Sequence, residues 1–468
     1  MTSDRRTFLG TGLIAAAMTS QDWGLAAAAA ELALRDGLRT EASTDFGRLL
    51  RKEPRVVAQP VSGAEIASLF RLAKSERLKV APRGRGHSIY GRALSEGGIV
   101  VDMGRLGAIG DIRPDRVVVG AGASWQSVLD ATLPQGLTPP VLTNYLGLSV
   151  GGTLAVGGIG GSSSRHGMQT DNVLELDIVT GDGNELTCSA EANPAAFDAI
   201  RAGLGQCGII TRATLRLVRA PERVRRFQLF YPGLSELIAD QRRALAEDRF
   251  DQLQGAILPD GAGGWQYQLE GAVFYHGDQP PDDKILLNTS ADMRSAAVTT
   301  DLTYREDAAA FAKFEALLRS KGQWTTPKPW LLTFLPGSSA EKLARDVLAE
   351  LSPVDIGPFG RITCYPMRTN ACRTPLLRLP DEDVVFPFNV IRMPPSDDRA
   401  ATERMVAQNR SLYERLRSAG AMQYPVSAFP MSQDDWKDHF GPGWARFAEN
   451  KRQLDPAGLL TPGYETFR

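Results

Sequence analysis

Cysteine and histidine are both scarce in this chain, whose 468 residues include four of each. The cysteines are Cys188, Cys207, Cys364 and Cys372, and they form no C-x-x-C pair. The histidines likewise show no H-x-x-x-H spacing, so the sequence predicts no metal site. We expect buried free thiols, and a disulfide between Cys364 and Cys372 stays open as an alternative.

The sequence also lacks an excess of charge of either sign and a long apolar run. Lys and Arg total 53 against 54 Asp and Glu, which gives a formal net charge of −1. That balance argues against a nucleic-acid partner. No apolar run reaches the ~20 residues that cross a bilayer, so we expect no membrane span.

The N-terminus carries the features of an export signal. Arg5 and Arg6 precede Phe8-Leu9, and a small apolar run over 10–18 is followed by alanines over 25–30. Paired arginines before such a run are typical of a twin-arginine signal, although Asp4 stands where Ser or Thr is usual. We predict a twin-arginine export signal at residues 1–30, with the twin-arginine export machinery as partner and a periplasmic or extracellular location. The alternative is an Ala-rich helix that stays attached.

Short strands and helices alternate up to about residue 220. Apolar residues at helical spacing predict a helix over 62–77, and Gly181 to Asn184 predicts a hairpin turn between strands 174–180 and 185–189. Asn193 before Pro194 is the expected N-cap of another helix. The pattern therefore predicts an α+β domain.

A change of pattern at Ala220-Pro221 marks a second domain, in which strand-rich stretches such as 265–275 and 384–393 accompany long helices. Helices are predicted over 307–321 and 397–419. We place the domain boundaries at 31–220 for the first domain, completed by 441–468, and at 221–440 for the second.

Glycine is the residue in excess, with 46 in the chain, and two glycine-rich loops stand out. Loop 1, Pro82 to Ser88, follows a predicted strand, and its successive N–H groups suit an anion. Loop 2, Ser149 to Gly161, has six glycines in thirteen residues and is expected to form neither helix nor strand. Its apolar residues favour contact with a ligand over a flexible linker.

These loops and later motifs resemble the FAD-linked oxidases of the vanillyl-alcohol oxidase type, and most closely the cytokinin dehydrogenase branch. The resemblance covers nearly all of the chain after the leader. It implies an α+β, two-domain PCMH-type FAD-binding fold with an α+β substrate-binding domain. The motifs that carry it include Gly84-x-Gly86-His87-Ser88, Asn144-Tyr145-Leu146, Val150-Gly151-Gly152-Thr153-Leu154, Arg165-His166-Gly167, Pro329-Trp330-Leu331, Trp436, His439-Phe440-Gly441, Asp455-Pro456 and Pro462-Gly463.

By this resemblance, His87 binds FAD covalently through a ring nitrogen and the 8α-methyl group. Related branches add a second bond from a Cys, but the matching region here has Gly147, so a single link is implied. The residues that the resemblance assigns to FAD are Pro82, Gly84, Arg85, Gly86, His87, Ser88, Arg92, Asn144, Ser149, Gly151, Gly152, Ile159, Ile210, Tyr424 and Thr461. The other three histidines are given no chemistry.

Two residues are candidates for catalysis, Asn144 and Glu315. Cytokinin dehydrogenases carry an Asp where this chain has Asn144, and that Asp takes the proton of the substrate amine. An amide cannot act as a base, although it can orient a substrate by hydrogen bonding. Glu315 matches a family Glu that contacts substrate, and an exposed helix carboxylate is its structural alternative.

The sequence therefore predicts a flavin-dependent oxidoreductase acting on a small molecule. The expected reaction is oxidation of a C–N bond, in a cytokinin-like N6-substituted adenine or another amine, by hydride transfer to flavin N5. Oxygen or a quinone-like compound is the expected electron acceptor. The alternatives are an alcohol or sugar oxidase of the same fold and a catalytically silent flavin-binding protein.

Overall fold

The structure is a computed structural model that describes residues 36–394 and 398–467. The predicted export signal at 1–30 lies outside the described residues. In the part of the chain that is described, no helix has the length and apolar character needed to cross a membrane. No group of three or more His, Cys, Asp or Glu side chains suited to a metal ion occurs there. All four cysteines are free thiols, so the alternative disulfide between Cys364 and Cys372 does not form.

The first region combines a small parallel sheet with a larger antiparallel one. The parallel sheet has the order β1-β3-β2, the antiparallel sheet has the order β4-β5-β9-β7-β8, and β6 pairs with β10. In chain order the elements are α1 (Asp36–Ala42), β1 (Val56–Ala58), α2 (Gly63–Glu76), β2 (Val80–Arg83), β3 (Ile99–Asp102), β4 (Ile109–Arg113), β5 (Arg116–Gly120), α3 (Trp125–Thr132), β6 (Leu137–Thr138), α4 (Val150–Leu154), α5 (Ser163–His166), β7 (Val173–Thr180), β8 (Glu185–Ser189), α6 (Pro194–Ile200), β9 (Gly208–Arg216) and β10 (Val218–Arg219).

Helix α2 shows how local sequence determines the elements of this region. The Ser62 side chain accepts a hydrogen bond from the Glu65 N–H at the N-terminus, and Arg77 ends the helix in a left-handed conformation with φ 54°. Ile66 and Phe70, one turn apart, are buried on its inner face. The predicted helix is confirmed, as is the hairpin of β7 and β8, which pair in antiparallel register.

The second region is built on one large sheet, with the strand order β14-β11-β13-β12-β16-β18-β15-β19 and β17 paired to β18. Its adjacent strands pair antiparallel. The elements are β11 (Arg223–Tyr231), α7 (Leu234–Ala246), β12 (Gln252–Pro259), β13 (Trp265–Tyr275), α8 (Asp283–Leu286), β14 (Val298–Thr303), α9 (Tyr304–Ala308), α10 (Phe311–Ser320), β15 (Leu331–Pro336), α11 (Ala340–Glu350), α12 (Pro353–Ile356), β16 (Arg361–Cys364), β17 (Met367–Arg368), β18 (Val384–Ile391), α13 (Arg399–Ser418), β19 (Met422–Gln423), α14 (Gln433–Phe440) and α15 (Trp444–Leu454).

The single helix predicted over 307–321 is wrong, because the chain forms α9 and α10 with a break between them. The α9 side of the break is held to the sheet by an ion pair between the buried Asp307 and Arg226 of β11. The α10 side instead directs Phe311 against the ring of Tyr145, at 5.4 Å between centroids. The two helices are therefore attached to different parts of the protein, α9 to the large sheet and α10 to Tyr145.

Two smaller predictions are refined. Asn193 is the N-cap of α6 with Pro194 as the first helical residue, as predicted, but it makes no side-chain capping bond: its φ is 53°, and its amide donates to the Thr187 carbonyl at 2.8 Å. Loop 2 is not wholly irregular, because its first residues form α4. The N–H groups of Val150 and Gly151 donate to neighbouring backbone carbonyls at 2.8 Å, and Trp125 Nε1 donates to Thr153 Oγ1 at 2.9 Å. These bonds offset the poor helix propensity of the two glycines.

The C-terminal residues return to the first region. Leu460 forms a parallel bridge with Val80 of β2, and the Thr461 N–H donates to the Val80 carbonyl at 2.8 Å. Lys451 of α15 donates to the Gln206 carbonyl at 2.8 Å. The end of the chain is thereby attached to the strand from which loop 1 leaves, while the domain boundaries themselves stay a prediction.

Candidate active site

The two glycine-rich loops meet at Gly84 and Ser149. A Cβ atom at Gly84 would lie only 1.9 Å from Ser149 Oγ, so this approach requires glycine. Gly86 has φ +62°, a conformation that glycine adopts at little cost, and its carbonyl accepts a hydrogen bond from the Phe46 N–H at 2.8 Å. The fold therefore brings together loop segments that are more than sixty residues apart in the sequence.

His87 lies beside this junction within a set of aromatic rings. Its ring stacks on Phe46 with 3.8 Å between centroids, and the rings of Tyr145 and Trp324 lie at 4.9 and 5.8 Å. Burial, with a further contribution from the Lys328 charge, lowers the pKa of His87 to about 3. The imidazole is therefore uncharged at neutral pH, as a nitrogen nucleophile must be.

The segment Asp45 to Gly47 links loop 1 to the rest of the site. Asp45 Oδ2 accepts from the Gly91 N–H at 2.7 Å, and the Gly47 N–H donates to the Ser88 carbonyl at 3.2 Å. Burial raises the pKa of Asp45 to about 6, although the Gly91 N–H and Arg83 act in the opposite direction. Sequence reasoning missed this segment, because its residues match no binding motif until the fold places them under loop 1.

Glu315 of α10 reaches the same set of rings. Its Oε1 accepts from Tyr145 Oη at 3.4 Å and from Arg319 at 2.7 Å, while the Arg319 guanidinium lies 4.6 Å from the centroid of Trp324. The Glu315 side chain is 19% exposed, against 54% for Arg319, so it is not the exposed helix carboxylate of the structural alternative. Burial and the nearby Glu315 carboxylate raise the pKa of Tyr145, which keeps its hydroxyl protonated.

Asn144 precedes Tyr145 directly and is exposed. The two candidate catalytic residues therefore belong to one area, since the ring that follows Asn144 binds Glu315. The sequence identifies Tyr145 only as part of a motif and predicts no role for its side chain. Its position beside Asn144 was the signal that could have identified it.

Several predicted flavin-binding residues line the two loops. Gly152 lies close to Ser149, since a Cβ there would come within 2.8 Å of Ser149 Oγ. Tyr424 Oη accepts from the Gly158 N–H at 2.9 Å, so it contacts the later part of loop 2. The remaining predicted residues near these loops are Pro82, Arg85, Ser88, Gly151, Ile159 and Ile210. Of these, Arg85 is exposed, Gly151 belongs to α4 and Ile210 belongs to β9.

Arg92 and Thr461 are engaged mainly with other parts of the protein. Arg92 is 5% exposed, donates to the Phe429 carbonyl at 3.3 Å and lies 5.0 Å from the ring centroid of Tyr464. Thr461 Oγ1 donates to the Gly205 carbonyl at 2.7 Å. These contacts fasten the C-terminal segment, and a flavin contact for either residue stays a prediction.

The site fits a flavin on structural grounds. Glycine-rich backbone suits phosphate groups, and a partly exposed histidine among aromatic rings suits a planar ring system. In addition, Oε1 of the buried Gln169 lacks a hydrogen-bond partner among the described residues, beside Gly158 of loop 2. An orphaned buried acceptor fits a ligand that brings an N–H donor. Sequence reasoning missed Gln169, because no motif marked it.

Comparison with known proteins agrees with this geometry. Residues 54–189 match the FAD binding domain family, and residues 257–467 match the family described as cytokinin dehydrogenase 1, FAD and cytokinin binding. The chain is 40% identical over 425 residues to an uncharacterized oxidoreductase of the fasciation locus in Rhodococcoides fascians, which covers 91% of this chain and 96% of the relative.

Plant enzymes are similar over the same length. Cytokinin dehydrogenase 10 of Oryza sativa subsp. japonica is 36% identical, over 92% of this chain and 87% of that protein. Cytokinin dehydrogenase 3 of Arabidopsis thaliana is 33% identical, over 91% and 88%. The predicted two-domain α+β fold and the FAD cofactor are confirmed, and the protein is an enzyme. The chain belongs to the cytokinin dehydrogenase family of flavin-dependent oxidoreductases.

Proposed function

We propose that this enzyme holds FAD covalently through His87 and oxidises a C–N bond of an N6-substituted adenine or another amine. The observation that carries the proposal is the convergence of His87, Tyr145 and Glu315 on one set of aromatic rings beside the two glycine-rich loops. Bound FAD would supply the two-electron acceptor for a hydride from the carbon next to nitrogen. The relatives named as cytokinin dehydrogenases support this substrate class.

The residues of the chain divide the remaining tasks. His87 would hold the flavin, and the backbone of loops 1 and 2 would bind its phosphates. Trp324 and Tyr145 provide planar faces for a purine, because aromatic rings stack on heterocycles. Water exclusion by these rings strengthens every polar contact within the site.

We assign Glu315 the role of accepting the substrate proton, or a hydrogen bond from the substrate N–H. Arg319 and the Tyr145 hydroxyl both donate hydrogen bonds to its Oε1. Among the described residues, the hydrogen bonds to Glu315 are all made to Oε1. We therefore assign Oε2 to the substrate. Asn144 would orient the substrate by hydrogen bonding, since its amide cannot accept a proton as a base.

Flavin reduction tests the proposal directly. The purified, flavin-loaded enzyme is mixed without oxygen with an N6-isoprenoid adenine, with simple amines, and with alcohols and sugars. Loss of the oxidised-flavin absorbance with the adenine or an amine supports the proposal. Reduction by alcohols or sugars alone would favour the oxidase alternative, and no reduction by any compound would favour a silent flavin-binding protein. Oxygen and a quinone are then compared as acceptors.

Asn144 offers a sharper test of the missing base. We predict that Asn144→Asp raises the rate of amine oxidation, by about tenfold or more, because a positioned base typically contributes 10² to 10⁴ in rate. Asn184→Asp, at the hairpin turn between β7 and β8, is the matched control and leaves the rate unchanged. An unchanged rate in Asn144→Asp would show that a missing base does not limit this enzyme.

We further propose export through the twin-arginine pathway, on the strength of Arg5 and Arg6. Replacing both by Lys should retain the protein in the cytoplasm, measured as the fraction recovered outside the inner membrane. Export of the double variant at the parent level would contradict this.

A further inference from the structure

Lys328 is a fully buried lysine without a carboxylate partner among the described residues. Its ammonium instead donates to neutral oxygens, namely the Gln323 carbonyl at 2.9 Å and the Thr326 carbonyl and hydroxyl at 2.5 and 2.9 Å. Three acceptors match the three N–H bonds of an ammonium group. Local structure therefore fixes both the position of Nζ and its orientation, while no opposite charge neutralises it.

The buried ammonium belongs to the set of groups around His87. Nζ lies 5.1 Å from the centroid of Phe46, the ring on which His87 stacks at 3.8 Å. The backbone N–H of Lys328 donates to the Gly47 carbonyl at 2.8 Å. The segment Asp45 to Gly47, which supports loop 1, therefore also holds the backbone of the lysine. Displacing Lys328 would therefore disturb the support of His87 as well as its electrostatic surroundings.

Two physical consequences follow from a fixed charge at this place. A positive charge in a low-dielectric region disfavours a second positive charge nearby, so it opposes protonation of His87. It also favours electron density on any ring system that binds beside His87. Burial and the Arg48 guanidinium lower the pKa of Lys328 to about 7, so its positive charge is complete below that pH and partial at neutral pH.

We propose that Lys328 is a positioning residue for flavin attachment, which supports the Phe46 ring on which His87 stacks and places a positive charge beside that ring. This inference rests on the covalent FAD proposed above. In the net attachment reaction, a bond forms between a His87 ring nitrogen and the 8α-carbon of FAD. One hydrogen leaves that nitrogen and one leaves the carbon, and dioxygen takes both with two electrons to give hydrogen peroxide.

The test uses the full chain with Lys328→Met and Lys328→Gln as neutral variants and Lys328→Arg as the charged one. Lys321→Met, at an exposed position after α10, is the control. We expect the neutral variants to attach added FAD about tenfold more slowly, because loss of the ammonium loosens the support of the Phe46 ring and removes the positive charge beside the bound ring system. Their bound flavin should also have a lower midpoint potential. Lys328→Arg and Lys321→Met should attach FAD at rates close to the parent.

Each outcome decides the proposal. A neutral variant that is folded by circular dichroism, attaches FAD at the parent rate and keeps the parent potential overturns it. The Gln side chain retains two N–H donors for the carbonyls. Lys328→Gln therefore gives the deciding measurement if Lys328→Met does not fold.

The failure of the covalent link is distinguishable from the failure of this inference. If acid-precipitated parent protein is colourless, the covalent part of the proposed function is wrong, and with it the attachment role of Lys328. The potential of the reversibly bound flavin then tests the charge effect alone. An equal potential in parent and Lys328→Gln would overturn that effect too.

Discussion

Two histidines, the partly exposed His87 and the buried His439, share a depressed pKa but have different surroundings. Burial, together with a nearby cation, lowers the pKa of each to about 3. His439 lies between Trp436 and Phe440, 5.7 and 5.0 Å away between centroids. Its two ring nitrogens lack hydrogen-bond partners among the described residues. His87 instead adjoins the two glycine-rich loops, a buried lysine and the Glu315 cluster.

The difference teaches that a perturbed pKa identifies burial and not function. Loss of hydration lowers the pKa of any histidine that the fold encloses, whether or not chemistry follows. Function requires in addition a place for a ligand, and glycine-rich backbone supplies it only at His87. The comparison therefore supports the proposal of flavin binding at the His87 region, meaning loops 1 and 2 with the rings and contacting residues around His87, and a packing role for the His439 region, meaning α14 and the residues that contact it.

The largest expected effect is on the amount of covalently bound flavin, which should distinguish the two histidines. His87→Ala should release all FAD on acid precipitation, because the proposed bond is lost, whereas His439→Leu should keep the parent amount of covalent flavin. The readout is flavin absorbance in the washed precipitate per mole of protein. A yellow precipitate from His87→Ala, or a colourless one from the parent, would contradict the assignment.

The next effect concerns Glu315, which belongs to the His87 region through Tyr145. Glu315→Gln should lower kcat/KM by about 10 to 100-fold, because the amide cannot hold the substrate proton. Its flavin content should stay at the parent level. Glu341→Gln is a matched control, since Glu341 also pairs with an arginine one turn later on a helix, at Arg345. Equal losses in both variants would mean that only helix stability has changed.

The smallest effect is on the pH dependence of the free energy of unfolding. It concerns Asp45, beside loop 1, and Asp435, on the same helix as His439. Burial raises the pKa of Asp45 to about 6, so the folded protein binds its proton more tightly than the unfolded chain. Burial alone would also raise the pKa of Asp435, but hydrogen bonds from Arg410 and Ser432 hold it well below the ordinary value. The two carboxylates should therefore give stability opposite dependences on pH.

The sign follows from proton linkage. The Asp45 contribution is present below its unfolded pKa near 3.8 and is lost as the pH rises towards 6, at a cost of about 3 kcal/mol. The Asp435 contribution is present above its unfolded pKa and is lost as the pH falls. Asp45→Asn should thus flatten the decline in the free energy of unfolding between pH 4 and 6, whereas Asp435→Asn should lower that free energy at neutral pH. Denaturant titrations along a pH series would measure both, and equal slopes in parent and Asp45→Asn would contradict the assignment.

Much of the fold could be predicted from sequence wherever the signal is local. The amphipathic face of α2 and the glycine turn between β7 and β8 are encoded within a few residues, and both are confirmed. The break between α9 and α10 was not predicted from local sequence, and on its N-terminal side Asp307 pairs with Arg226, about eighty residues earlier in the chain. Likewise α4 forms in a glycine-rich segment because backbone carbonyls from another part of the chain receive its N–H groups.

The candidate site divides in the same way. Loops 1 and 2, His87, Asn144 and Glu315 were identified from sequence, because their motifs resemble a known family. Phe46, Lys328 and Gln169 were missed, since their residue types are ordinary and only their placement gives them meaning. Arg92 was predicted to bind FAD, and the structure places it close to the aromatic rings of Trp436 and Tyr464.

The sequence by itself determined the family, the flavin cofactor and the residues of the two loops, because glycine spacing and motif order are carried by neighbours in the chain. The tertiary structure decided that His87 stands among aromatic rings, whereas His439 is enclosed by packing. It also decided that a lysine and a carboxylate from distant elements meet there. The physical reason is that burial and electrostatic interactions depend on distance in space, which the order of residues along the chain does not specify.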